Sequence, residues 1–369
     1  MARVLVLEPW YGGSHRAWVD GWAAHSRHEL HVLSLPAQFW RWRLRGGAAS
    51  LAEATQEWVA DHGRPDGVVI SGLIDASSYL GLARRSLGST PVALYLHESQ
   101  ILYPPAPGQR LDIDAGLANW RSIIAADRLW WNSDFHRGAM LDVLPGFLAR
   151  QPEPVSGRAV TLVAERSSVL WPGVATKDLI AGRRFVNARP VVLWNQRWDH
   201  DKNPRAVFSA LRAISTQGVA FDLVLAGENQ GHSDEAAWVR DHLGDHIVHE
   251  GWLEPDDYHD WLLRSDVVVS AADHEFFGIA IVEALAAGAV PVLPDRLSFP
   301  ELVGERWADA ALYPDGQLRD RLNAVLGDLA GARAALAGLR ETMSRFEIVA
   351  AASRHDDAVD DLISVGKSV

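Results

Sequence analysis

E-F-F-G-I-A-I-V-E-A-L-A-A-G, from Glu275 to Gly288, follows shortly after the β-branched run D-V-V-V-S at Asp266–Ser270. The run has the length and composition of a buried strand. The quoted stretch then reads as a polar turn and a helix that opens on Gly278 and closes on Gly288. Strand, turn and helix in this order make a generic anion site, because free backbone N–H groups and the helix dipole face a phosphate. Two acids narrow the reading. Glu275 sits in the turn and Glu283 about two turns along, close enough for one extended ligand to touch both. The Glu-x7-Glu spacing arises easily by chance and suits a solvated helix equally well, so its weight depends on its company.

Working outward, apolar strands alternate with helix-like segments along the whole chain. The first half offers Val4–Leu7, Leu30–Leu33, Gly67–Ile70, Val92–Leu96 and Arg128–Trp131. The second offers Val191–Trp194, Leu223–Ala226, Ile247–Val248, Val267–Ser270 and Val290–Leu293. Such alternation predicts two doubly wound parallel α/β sheets. Their join falls around Pro172–Pro190, giving domains at residues 1–173 and 174–346, with a terminal helix near 347–369 packed back on the first. Residues 152–158 read as a loop.

A length of 369 residues also favours two domains. No apolar run is long enough to span a bilayer, and Met1-Ala2-Arg3 leads into V-L-V-L without a signal-peptide layout. The lack of cysteine excludes disulfides and thiolate chemistry and fits a reducing cytoplasm. The net charge of −12 argues against nucleic acid until it is divided. Residues 1–173 hold 16 basic and 16 acidic groups and are neutral, while the remainder holds 19 against 31 and carries the whole deficit. An RNA-facing surface in the first half is therefore allowed. Sixteen tryptophans read mainly as core anchors.

Ligands of doubly wound sheets bind beyond the carboxyl ends of the strands, so the residues that follow each strand matter most. E-P-W-Y-G-G-S-H-R (Glu8–Arg16) comes first, with Gly12 and Gly13 allowing close backbone approach and Ser14 as the expected helix cap. His97-Glu98-Ser99-Gln100 follows the fourth strand. After Val191–Trp194 comes N-Q-R-W-D-H-D-K-N-P, in which Arg197 ends the strand and Lys202 precedes Asn203 as cap and Pro204 at the first helical position. Two cations at a helix N-terminus oppose its dipole unless an anion lies between them, which points to a diphosphate. Ion pairing with Asp199 and Asp201 is the competing explanation. Asp199-His200-Asp201 and Asp112-Ile113-Asp114 match a metal-holding D-x-D pattern, but cations beside the first can neutralise a diphosphate alone, so no metal is expected.

Taken together these residues resemble the GT-B glycosyltransferases of family four. Y-G-G-S-H (Tyr11–His15), F-W-R-W-R-L-R (Phe39–Arg45), L-H-E-S-Q-I-L-Y-P (Leu96–Pro104), N-S-D-F-H (Asn132–His136), Q-R-W-D-H-D-K-N-P (Gln196–Pro204) and H-E-F-F-G (His274–Gly278) are similar to the queuosine-tRNA mannosyltransferase branch. The resemblance implies two Rossmann-like domains facing a cleft and a nucleotide sugar, GDP-mannose, held by the second. Arg197 and Lys202 would neutralise the diphosphate, Glu283 accept from the ribose, and Glu275 with the backbone of Phe277, Gly278 and Ile279 grip the hexose. Gly251, Trp252 and Leu253 would frame the base, and Gly12 and Gly13 close on the diphosphate. His97 would face the sugar, with His15 and Glu98 on the acceptor side. A retaining transfer without metal, onto queuosine-containing tRNA, is what the branch implies. The chain lacks the long central insertion of animal members and ends differently from Phe346 onward, which leaves a smaller or lipid-linked hydroxyl acceptor as the alternative.

Trp40, Trp42 and Leu44 alternate with Arg41, Arg43 and Arg45. As an extended segment, this puts three guanidiniums on one face and apolar groups on the other. It is either a solvated edge strand or a phosphate-contacting surface for an anticodon arm.

Overall fold

The computed structural model describes residues 1–105, 108, 110–152, 157–227, 229 and 233–366. Two compact units divide the chain, one formed by Met1–Gly173 with Ile348–Val369, the other by Val174–Glu347.

The first unit holds β1 (Arg3–Tyr11), β2 (Glu29–Pro36), β3 (Gly67–Ser71), β4 (Val92–Leu96), β5 (Arg128–Trp131) and β6 (Ser167–Val169) in one parallel sheet of order β2-β1-β3-β4-β5-β6. Strand side chains alternate between faces, and both faces are covered here. Leu5, Leu7, Val68 and Ile70 enter one core with Leu51 and Tyr79, from the helices Trp40–His62 and Ala76–Leu87. Val4, Val6 and Val69 enter the other with Trp18 and Trp22 of the helix Gly13–His25 and Val359 of the helix Ile348–Gly366. Burial on both sides explains why these strands read as unbroken apolar runs.

The second unit holds β7 (Val191–Trp194), β8 (Asp222–Leu225), β9 (Ile247–Glu250), β10 (Val267–Val269), β11 (Val290–Pro294) and β12 (Leu312–Tyr313), ordered β12-β11-β10-β7-β8-β9, again all parallel. Each sheet reverses strand order once, between β1 and β3 in the first and between β7 and β10 in the second. A reversal opens a crevice at the carboxyl end of the sheet, because the connections on its two sides leave in opposite directions. The loops after β1, β3, β7 and β10 are thus the ones placed to hold ligands.

Several sequence expectations need correction. β6 and β12 have three and two residues, too short for a periodicity signal. Of the loop expected at 152–158, residues 153–156 lie outside the described residues, and Gly157 already opens the helix Gly157–Glu165. The helix after β1 is capped by the backbone of Gly12 rather than by Ser14, because the strand runs on to Tyr11. The Trp40–Arg45 segment is not extended. It forms the first turns of the Trp40–His62 helix, whose buried residues Leu44, Ala48, Leu51, Ala52, Thr55 and Trp58 recur at helical spacing. The period of 3.6 over the longer stretch overrides a six-residue alternation.

Candidate active site

Lys202 organises the crevice of the second unit. It lies in the one-turn helix His200–Lys202 after β7, its side chain only 10% exposed. Nζ donates to the main-chain oxygen of His274 at 2.6 Å and lies 3.1 Å from Asp201 Oδ2 and 3.2 Å from Glu275 Oε2. His274 and Glu275 belong to the loop after β10, so the ammonium ties together the loops of the two switch strands. Main-chain bonds reinforce the tie, since the N–H groups of Asp273 and His274 both donate to the Asp201 carbonyl. Burial alone would pull the Lys202 pKa down, but Glu275 and Asp201 outweigh it and hold the group above its ordinary value. Burial would likewise raise Asp201, yet the ammonium keeps it below the usual carboxylate range. His274 is pushed down to about 4 by burial and by Lys202 and is neutral at pH 7.

Arg197 lies beyond the end of β7 rather than in it, in the loop, and pairs with Asp199 at 2.8 Å with much of its side chain exposed. Both cations therefore carry the ion pairs weighed from the sequence. Of the three donors of its ammonium, Lys202 gives one to the His274 carbonyl and one to Glu275, while Asp201 faces it as an ion pair. Asn203 caps the helix Pro204–Ser215 through its backbone, in left-handed conformation at φ 48°, and its side chain donates instead to Asp273.

Gly278, with φ 96°, turns the chain into the helix Ile279–Ala286. Phe277 and Gly278 are buried, whereas Ile279 is partly exposed at the helix start. Glu283 is partly buried one face along. Its Oε2 accepts from the Tyr258 hydroxyl at 2.8 Å, and that hydroxyl accepts from Asn195 Nδ2 at 2.9 Å. Asn195 Nδ2 also donates to the Ala280 carbonyl, fixing the helix start to the end of β7. Burial raises Glu283 to about 7, against the opposing Tyr258 hydrogen bond. Asn195 and Tyr258 were missed from the sequence. Asn195 stood inside the quoted N-Q-R-W motif, but Tyr258, on the helix Pro255–Arg264, leaves no spacing signal. Gly251 has φ 118° and Trp252 is exposed, with Leu253 partly so. A cavity of about 480 Å³ lies beside Gly251, lined in part by Trp198, Arg240 and Glu250. Gly227 borders it and admits no side chain, as a Cβ there would meet the Gln196 carbonyl oxygen.

In the first unit the crevice between β1 and β3 holds a second cluster. Glu8, fully buried on β1, accepts from the Trp10 N–H at 2.8 Å and faces His15 Nδ1 at 3.0 Å. Ser71 of β3 lies 3.3 Å from the same nitrogen. His97, just past β4, stacks on His15 with ring centroids 3.9 Å apart. Burial, with His15, His136 and His355 adding, holds the His97 pKa far below its ordinary value. Glu8, His15 and His97 each offer a ligand atom within 4.8 Å of the others. Rings stacked with planes 29° apart do not, however, aim in-plane lone pairs at one point within the ~2 Å reach of a metal–nitrogen bond. Gly12 is crowded by Ala37, and Gly13 needs its φ of 52° to start the helix. Glu98 is turned toward Gln100, whose Nε2 donates to it at 3.0 Å.

The two D-x-D matches have other occupations. Asp112 caps the helix Ile113–Ala125 and pairs with Arg45 at 3.1 Å, while Asp199 and Asp201 pair with Arg197 and Lys202. As a consequence of the helical fold, Arg41 and Arg45 share a face, and Arg43 turns away to donate to the Pro36 carbonyl.

Comparison with known proteins agrees with this arrangement. Residues 3–174 match the family described as tRNA-queuosine alpha-mannosyltransferase N-terminal, and residues 177–329 match glycosyl transferases group 1. The tRNA-queuosine alpha-mannosyltransferase of Drosophila melanogaster is 30% identical over 333 residues, spanning 87% of this chain and 84% of that protein. Sucrose-phosphate synthase from Thermosynechococcus elongatus superposes with a TM-score of 0.76 at 15% identity, covering 99% of this chain and 100% of that one. The catalytic domain of starch synthase IV from Arabidopsis thaliana gives 0.72 at 12%, covering 99% of both. The fold is therefore GT-B, and the chain belongs to the tRNA-queuosine α-mannosyltransferase family of glycosyltransferases.

Proposed function

We propose that this chain transfers mannose from GDP-mannose to the cyclopentenediol of queuosine at the tRNA wobble position, in the cytoplasm, with retention at the anomeric carbon and without a metal. The observation that carries the reading is the Lys202 ammonium joining the loops of β7 and β10, in a chain whose first unit matches the queuosine branch. The second unit takes the donor. A phosphate oxygen arriving at Nζ displaces Glu275, which is thereby released to accept from hexose hydroxyls, while Glu283 accepts from the ribose. Departure of the nucleoside diphosphate is the hard step, and fixed cations act where its charge grows. The bond from the anomeric carbon to phosphate breaks with its electrons on oxygen. The acceptor hydroxyl bonds to that carbon on the same face, and its proton passes to the departing phosphate.

The test is incubation of the purified protein with GDP-mannose and tRNA, followed by mass analysis of released nucleosides. Mannosyl-queuosine is expected from queuosine-containing tRNA and no product from the guanosine-containing counterpart. Equal transfer to free queuosine or to a lipid-linked alcohol would favour the smaller acceptor. EDTA is expected to leave turnover nearly unchanged, since Asp199 and Asp201 are engaged by cations. Loss of turnover restored by manganese would return them to a metal-binding role.

A further inference from the structure

The start of the Trp40–His62 helix carries two large aromatic rings in the open. Phe39 is 75% exposed and Trp42 62% exposed. Phe39 also adopts a left-handed conformation, φ 57° and ψ 56°, which a bulky residue takes only under constraint. No burial of its ring compensates for that strain. Instead its carbonyl accepts from the N–H groups of Trp42 and Arg43, closing the first turn and fixing where Trp42 stands.

Gly46, one turn further on, explains how Trp42 is held. A Cβ at Gly46 would lie 2.7–2.8 Å from three indole atoms of Trp42. The indole thus lies flat on the bare helix backbone, one face covered and the other turned outward. Glycine within a helix is less stable than alanine, so the seat is kept at the expense of stability. Cations surround it. Arg41 and Arg45 are exposed on one side, with the Arg41 guanidinium 4.8 Å from the Trp40 ring centroid, and Arg45 is partly balanced by Asp112. No acidic residue occurs between Phe39 and Leu51.

We propose that Trp42, seated on Gly46, is a stacking platform for an unpaired base of the RNA acceptor, with Arg41 and Arg45 taking the adjoining phosphates. The inference rests on the tRNA reading above and assigns this helix start to it. A flat exposed indole beside guanidiniums suits a nucleobase on a phosphate chain, because every base offers a π-face and each linkage a charge. Apolar protein partners would not call for the arginines.

Binding of the queuosine-containing anticodon stem-loop and KM for the full tRNA test this in Trp42→Ala, Trp42→Phe and Gly46→Ala, each checked by thermal melting. Trp42→Ala is expected to weaken binding about 5- to 150-fold, the span of one base stack, and Trp42→Phe much less. Gly46→Ala is the sharper variant. It should melt at or above the parent temperature, because the helix gains intrinsic propensity, yet weaken RNA binding by unseating the indole. Parental binding in both alanine variants, with the parent active, overturns the platform alone. Loss of self-association on Trp42→Ala with tRNA kinetics unmoved would assign the ring to a contact between two copies and overturn it as well. A parent that neither binds nor modifies the tRNA overturns the proposed function.

Discussion

Lys202 and Glu283 occupy one crevice of the second unit, and the proposed function gives them different work. The ammonium is held by the His274 carbonyl, Glu275 and an ion pair with Asp201 and stays charged, so under the proposed function it would meet the diphosphate most strongly when negative charge peaks during bond cleavage. Lys202→Ala is expected to lower kcat by about two to three orders of magnitude. Because it strips Asp201 of its buried cation, folding must be checked by circular dichroism. Glu283→Ala should instead raise KM, since the ribose contacts proposed for it would be alike in ground and transition states; identical kinetic signatures would refute this division. Glu283 also titrates near neutrality, at about 7. Under the proposed function only the ionised form would accept from both ribose hydroxyls, so affinity for GDP-mannose, whose diphosphate diester does not titrate here, should strengthen from pH 6 to 8. Glu283→Gln should flatten that profile. The sign for stability is opposite. Between about 4.5 and 7 the native carboxyl binds more protons than the unfolded one, so stability falls as pH rises through this window. Glu283→Gln is accordingly expected to stabilise the ligand-free protein at pH 8, by on the order of 1–3 kcal/mol.

At the scale of elements, the helix Trp40–His62 decides how the arginines can act. Arg41 and Arg45 stand one turn apart, whereas Arg43 is bound to Pro36. Replacing Arg41 and Arg45 together with Ser should flatten the log–log salt dependence of KM for tRNA by up to about two units, one per phosphate contact. Arg43→Ser should move it little, and equal effects from all three would mean that the extended arrangement forms when RNA is present. This helix also marks the limit of what the chain disclosed. Val4–Leu7 and Val267–Val269 were legible because parallel strands buried on both faces leave nothing polar to confuse the pattern. Lys202 and Glu275, which the structure brings together, stand out in the sequence because each lies in the segment after a strand at which the order reverses. The Trp/Arg alternation misled because six residues satisfy period two before the helical period shows itself. Tyr258 was invisible for another reason: its role comes from packing a helix of distant sequence against Asn195 and Glu283, and no local pattern encodes that.

Over the whole molecule, the last residues complete the first unit, and they do so through groups that acid can disturb. In the helix Ile348–Gly366, Asp356 accepts from Trp22 Nε1 at 2.8 Å and from the Arg27 N–H at 2.7 Å, both more than three hundred residues away in sequence. Its neighbour His355 accepts from Trp18 Nε1 at 3.0 Å while its Nδ1 faces the Ala351 carbonyl at 2.7 Å. That pattern requires the neutral ring with the proton on Nδ1, because a second proton on Nε2 would meet the indole N–H head-on. The rings of Trp18, Trp22 and Tyr95 enclose it, with Arg354 and Asp356 on its own helix and His97 as a further nearby ionisable group. Burial depresses its pKa to about 4 from an ordinary 6.5, with Arg354 adding and Asp356 opposing. Between those values the unfolded chain binds the extra proton, so the contribution is complete above about 6.5 and declines as pH falls toward 4. One such group changes stability by up to about 1.4 kcal/mol per pH unit. Denaturant unfolding of the first unit, followed through its buried tryptophans, should therefore weaken steadily from pH 6.5 to 4.5. His355→Gln keeps an acceptor for Trp18 but cannot titrate, and the decline should be shallower by that slope. An unchanged slope would show that another group governs the acid sensitivity of this unit.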